Sequence, residues 1–235
     1  MNNVKEFSSA FLNEKYYKII HKSGLKIFIC PKDRQSSYAL FATDFGSIDN
    51  AFIDEKGKRV RLPDGIAHFM EHKMFDNSDG ESVDDIFSRL GADPNAFTSW
   101  DKTAYVVSGN SGETFYDSIG TLIDFVSTPY FTKESVEKEQ GIIGQEIAMC
   151  EDDPYDRCFY GMVKGLYEKH PMRIEIVGSA ESIAKITPEM LYDCHRRFYS
   201  PSNMVLVVCG GVDVDRTMEV IDAHLTDKKD RKSVV

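Results

Sequence analysis

Apolar positions along the chain fall into two periods. Residues 16–20 and 25–30 are short β-type runs on either side of Lys22-Ser23-Gly24, the pattern of two strands joined by a turn. Residues 38–45 form a third such run, stopped by Gly46. Residues 47–64 are polar, with Gly57, Lys58, Arg59 and Pro63, and read as a loop. The period then lengthens. Ile66, Phe69, Met70 and Met74 recur at helical spacing, which predicts a helix from Asp64-Gly65 to about Phe75, with Asp64 as a candidate N-cap.

Residues 82–90 read as a second helix between the cap Ser82 and the stop Gly91. Residues 95–108 carry a β-type pattern, strongest at 103–107. Helices are predicted at 113–127, closed by Pro129, then at 133–149, at 155–169 and at 188–198 behind the cap Thr187. Residues 204–209 are an entirely apolar strand stopped by Gly210-Gly211, and 215–225 form a last helix. The charged tail from Thr226 onward is expected to be loose. Hairpins followed by clustered helices predict an α+β fold with a mainly antiparallel sheet packed against helices. No repeat, low-complexity tract or linker divides the chain, so residues 1–235 are expected to form one domain with its core at about 16–225.

Composition narrows the function. With 42% hydrophobic residues in 235, the chain can bury roughly 70–75% of its unfolded surface. The balance of 28 basic against 38 acidic residues gives −10, which argues against nucleic acid and polybasic membrane attachment. The longest apolar run has six residues, where a spanning helix needs about twenty. The opening Met-Asn-Asn-Val-Lys-Glu has no apolar core of a signal peptide. Five cysteines, at 30, 150, 158, 194 and 209, are odd in number and never spaced Cys-x-x-Cys. They are expected to be reduced, buried thiols of a cytoplasmic protein.

The chemically informative stretch is His68-Phe69-Met70-Glu71-His72. Residues four apart on a helix lie about 40° apart, one turn above the other. Two imidazoles so placed can bind one Zn²⁺ at about 2.0–2.1 Å, and Glu71, at the edge of that face, can reach a water without being a ligand. The alternative is two satisfied histidines on a solvated face, but the apolar stripe lies on the opposite side and neither histidine adds to packing. A catalytic zinc needs a third protein ligand and one open position. Glu139 and Glu146 are seven apart, nearly in register on the long helix. By spacing alone they serve equally as surface carboxylates. Gly141 and Gly144 between them suggest a close approach by another part of the chain.

These motifs together resemble the pitrilysin/insulinase family of zinc metallopeptidases, and the Lys73-Met74-Phe75 continuation is most similar to its bacterial processing-peptidase-like members. The resemblance extends through 91–98 (Gly-Ala-Asp-Pro-Asn-Ala-Phe-Thr), Glu151-Asp152-Asp153-Pro154, Ile176-Val177-Gly178 and 199–204, covering about residues 16–225. It implies zinc held by His68, His72 and Glu146, with Glu71 as general base and Glu139 as a supporting carboxylate. It also implies an edge strand at Asn95, Ala96, Phe97 and Thr98 where an extended peptide substrate would add by backbone hydrogen bonds.

Family members usually join this unit to a related second domain or partner subunit that often supplies an Arg-Tyr pair, and this chain stops after one unit. The resemblance therefore implies a missing half, and leaves self-association open. Three other readings stand beside it. One is a carboxypeptidase-type site with Glu71 as ligand and a distant histidine such as His195. Another is a small-molecule lyase using the nearby thiol of Cys150. The third is a non-catalytic, metal-binding partner subunit. Trp100 is expected to serve packing, and His195 to lie on a helix surface.

Overall fold

A computed structural model describes residues 3–53, 57–77 and 80–225. The predicted loose tail at 226–235 lies outside the described residues. One seven-stranded sheet organises the chain. Its strands, in chain order, are β1 (Asn3–Ser9), β2 (Glu14–Ile20), β3 (Lys26–Pro31), β4 (Ser36–Thr43), β7 (Ala92–Thr98), β8 (Thr103–Asn110) and β9 (Met204–Gly210). Across the sheet they run β1-β2-β3-β9-β4-β8-β7. Every pair is antiparallel except β3 with β9. The α+β class with a mainly antiparallel sheet is therefore as expected.

β9 lies between β3 and β4, which explains its uninterrupted apolar sequence: a central strand has neighbours on both sides and little contact with water. One face of the sheet supplies Ile19, Ile27, Ile29, Phe41, Tyr105, Val107, Leu206 and Val208 to the core. The helices α1 (Ile66–Lys73), α3 (Glu113–Ser127) and α8 (Val214–His224) contribute Phe69, Met70, Ile119, Leu122, Ile123 and Ile221 to the same cluster. No helix among the described residues is long and apolar enough to cross a membrane.

Several local expectations are corrected. The sheet begins earlier than residue 16, because β1 pairs along β2. The polar stretch 47–64 contains a two-stranded sheet, β5 (Ala51–Ile53) with β6 (Arg59–Arg61). The β-type stretch at 95–108 is two strands joined by a turn in which Ser99 N–H donates to Lys102 O at 2.8 Å.

Asp64 does not cap α1. Gly65 occupies the N-cap with φ 88°, and Asp64 instead pairs with Arg61 at 2.9 Å. A side chain at residue 65 would meet Val177 O at 2.6 Å, so both the positive φ and the close approach of Gly178 require glycine. Ser82 and Thr187 do cap α2 (Val83–Arg89) and α7 (Pro188–Phe198), the latter preceded by the short α6 (Ala180–Ile183).

The long helix α4 runs Lys133–Asp152, and α5 is Pro154–Leu166, opened by Asp153. A Cβ at Gly141 or Gly144 would meet nothing within 4 Å, so the expected close approach is absent there. His195 is buried rather than on a surface, donating from Nε2 to Val126 O at 3.0 Å. The five cysteines are free thiols, but only Cys194 is fully buried and Cys158 is exposed.

Candidate metal centre

α1 packs against β7, β8 and α4. Ile66, Phe69 and Met70 fix its apolar side in the core, which turns His68 and His72 toward α4. The two imidazole rings stand edge to face with centroids 4.6 Å apart. α4 is held by Val136, Ile143 and Ile147. Glu139 and Glu146, each three residues after one of the first two, flank that buried stripe and face α1.

His68 Nε2 lies 3.5 Å from Glu146 Oε1, and His72 Nε2 lies 3.7 Å from Glu146 Oε2. These gaps are long for hydrogen bonds. They are close to the roughly 3.3–3.4 Å separating donors arranged tetrahedrally at zinc–ligand distances. One ligand atom from each of His68, His72 and Glu146 falls within 4.8 Å of the others. Among the described residues this is the one group with metal-holding geometry, and neither His195 nor Cys150 joins it. Two imidazoles with a carboxylate form a donor set suited to zinc.

Glu139 stands behind this group. His72 Nδ1 donates to Glu139 Oε1 at 3.0 Å, which leaves the Nε2 lone pair directed at Glu146. The other carboxylate oxygen of Glu139 lies 3.6 Å from Lys73 Nζ, which also pairs with Asp76. Burial works to raise the pKa of Glu139, but the hydrogen bond from His72 and the positive charge of Lys73 outweigh it and hold the group below the usual carboxylate range. The same contact with Glu139 raises His72. Burial, and then the neighbouring His72, lower His68 to about 4, so this ring is neutral and ready to ligate at pH 7. His68 Nδ1 is buried without a hydrogen-bond partner.

Glu71 is buried beside the two histidines without joining the ligand group. Its carboxylate accepts the Thr98 hydroxyl at 2.5 Å. Burial raises its pKa, and the Thr98 hydrogen bond opposes that shift. A buried carboxylate of raised pKa is a stronger base than a free one and is suited to accept a proton from water.

Thr98 ends β7, an edge strand of the large sheet. Asn95, Ala96, Phe97 and Thr98 are its last four residues. The Ser99–Lys102 hydrogen bond sets the alternation, so Phe97, Asn95 and Asp93 pair with β8 while Thr98, Ala96 and Pro94 turn their backbone groups outward. Two observations agree with this assignment. Ala96 N–H is bonded to Asn95 Oδ1 rather than to β8, and Pro94, which has no N–H, occupies an outward position. The Asn95–Thr98 segment thus presents a sheet edge with no neighbouring strand among the described residues, and it ends at Glu71. Trp100 beyond it stacks on Phe159 with centroids 6.0 Å apart. The contacts of Thr98 and Lys73 with the site residues carried no signal in the sequence, since both arise between distant elements.

Residues 59–179 match the family described as Insulinase (Peptidase family M16), and residues 185–234 match the Peptidase M16 inactive domain. The chain is 47% identical over 212 residues to YmfH, an uncharacterised zinc protease of Bacillus subtilis (strain 168), covering 89% of this chain and 49% of that protein. A crystal structure of an M16-like peptidase from Alicyclobacillus acidocaldarius aligns with TM-score 0.84 and 40% identity, over 97% of this chain and 51% of that one. The first half of the periplasmic protease PqqL from Escherichia coli shares the fold, with TM-score 0.78, 24% identity and coverage of 94% and 48%. The chain spans about half the length of YmfH and of the Alicyclobacillus peptidase.

Proposed function

The chain belongs to the insulinase family, peptidase family M16, and from that premise we propose that it is the zinc-carrying half of a peptidase that hydrolyses peptides or unfolded segments. The observation that carries this reading is the convergence of His68, His72 and Glu146 beside a buried carboxylate, Glu71, that is not part of the ligand set. In this reading His68 Nε2, His72 Nε2 and a Glu146 oxygen hold the metal. Zinc, when bound, polarises a scissile carbonyl and lowers the pKa of water toward 7.

The remaining work belongs to the chain. Glu71 accepts the proton of the attacking water and returns it to the leaving amine. Thr98 keeps the Glu71 carboxylate facing the site. Glu139 keeps the His72 ring oriented. The outward carbonyl of Ala96 and the outward backbone groups of Thr98 receive an extended peptide as an added strand, which places a peptide bond close to Glu71. The match of one segment to an inactive domain and the double length of the relatives support a second half, whose closure would exclude water and position substrate.

Elemental analysis tests the assignment directly. The purified chain should carry about one zinc, and His72→Ala and Glu146→Ala should each lose it. Zinc retained at wild-type level in both variants would overturn the ligand set.

A further inference from the structure

Lys73 is the last residue of α1, and its side chain is only 3% exposed. A buried ammonium is costly unless opposite charge compensates it. Two carboxylates do so here: Asp76, one turn on, and Glu139, whose Oε2 lies 3.6 Å from Nζ. The other oxygen of Glu139 is the acceptor of His72 Nδ1–H at 3.0 Å. The groups therefore form a continuous series, Asp76 to Lys73 to Glu139 to His72, and at its far end His72 Nε2 faces Glu146.

We infer that Lys73 is a positioning residue for the metal centre: it holds Glu139 by its second oxygen so that the first fixes the His72 ring with Nε2 toward the metal. This inference rests on the ligand set proposed above. The physical reason is geometric. The terminal torsion of a glutamate is broad and roughly two-fold, so a carboxylate engaged at one oxygen can swing. Engaged at both, by His72 on one side and by Lys73 on the other, it is confined.

Charge gives a second reason. Glu71, Glu139 and Glu146 present three negative charges to a dication, and Lys73 supplies a fixed positive charge buried beside them. Asp76, a third exposed, compensates Lys73 from the solvent side. A lysine kept at this depth without touching the ligand group fits a role carried through Glu139.

The test is zinc affinity, measured on this chain by competition with a chromogenic chelator. Lys73→Met should bind zinc on the order of 10–100-fold more weakly, the range for groups that orient metal ligands, while keeping the fold by circular dichroism. Glu139→Gln should show a similar loss, and the double variant should be no weaker than Glu139→Gln alone.

A merely structural lysine would lower affinity equally in both backgrounds, and additive losses overturn the inference. Wild-type affinity in Lys73→Met overturns it as well. If Lys73→Met does not fold, Lys73→Leu, which also removes the ammonium, takes its place with the same expectations. His72→Ala and Glu146→Ala separate the two readings. If they keep zinc, the ligand set is wrong. If they lose it while the lysine variants do not, only the role of Lys73 fails.

Discussion

Thr98 and Glu71 are 27 residues apart and share a hydrogen bond of 2.5 Å, the hydroxyl donating to the carboxylate. Through it, the last residue of an open strand edge also holds the candidate base. A peptide adding along β7 would engage Thr98 by its backbone while Thr98 holds Glu71 by its side chain. Binding and proton transfer would therefore share one residue.

The first prediction follows from that bond. A hydrogen bond to a charged group is worth about 1.5–3 kcal/mol, or roughly 10–100-fold in rate. Thr98→Val in the complete peptidase should lower kcat by about that factor and leave zinc content unchanged. Thr98→Ser, which restores the hydroxyl, should recover most of the rate. Steady-state kinetics on an unfolded peptide check this, and equal activity of the valine and serine variants would remove the hydroxyl from the account.

Glu71 itself gives the second prediction. Glu71→Gln keeps the size of the side chain and can still meet Thr98, so fold and zinc should persist. Removing a general base typically costs on the order of 10²–10⁴-fold, so hydrolysis should fall by at least that much. Loss of zinc in this variant would make Glu71 a ligand, and wild-type turnover would remove it from catalysis.

Acidity gives the third. His68 has its pKa lowered from 6.5 to about 4, chiefly by burial. Between those values the unfolded chain takes up a proton that the folded chain does not, so stability falls as pH falls through this window. The full shift corresponds to about 3 kcal/mol. His72, raised by Glu139, acts oppositely: its contribution is complete below 6.5 and is lost as pH rises through its folded value. Urea denaturation of the zinc-free chain at pH 7 and pH 4.5 should show a larger acid loss for wild type than for His68→Gln. An identical loss in the two proteins would contradict a buried, neutral His68.

Two glycines that look alike in sequence should behave in opposite ways. Gly65→Ala meets a positive φ and a Val177 carbonyl oxygen 2.6 Å from the new Cβ, and should cost more than about 1 kcal/mol. It should also weaken zinc binding, because it displaces the start of the helix that carries His68 and His72. Gly141→Ala, in the middle of α4 with nothing within 4 Å, should stabilise by about 0.5–1 kcal/mol. Denaturation midpoints of the two variants shifting in the same direction would contradict this contrast.

The local elements were legible because their signals lie within one turn or one pleat. Ile66, Phe69, Met70 and Met74 mark a helix whose opposite side holds His68 and His72, and that follows from 3.6 residues per turn. Ser82 and Thr187 mark helix starts because a hydroxyl can take up an orphan N–H. The apolar run at 204–209 marks a strand, and the sheet then places it between β3 and β4.

The fold decided what periodicity does not encode. Glu139 and Glu146 serve a solvated surface and a metal site equally well by spacing. Packing of Val136, Ile143 and Ile147 against the core turns them to α1. Strand order was equally closed to the sequence, since β9 inserts between β3 and β4 from the far end of the chain. Gly65 rather than Asp64 opens α1 because Val177 and Gly178 press on that turn from another element. Thr98 meets Glu71, and Lys73 meets Glu139 66 residues away (139 − 73), because β7 and α4 both pack on α1. Residue type and helical spacing are local properties, so they were enough to single out the side chains capable of chemistry. Their meeting at one place depends on how every intervening segment packs, and no local pattern encodes that.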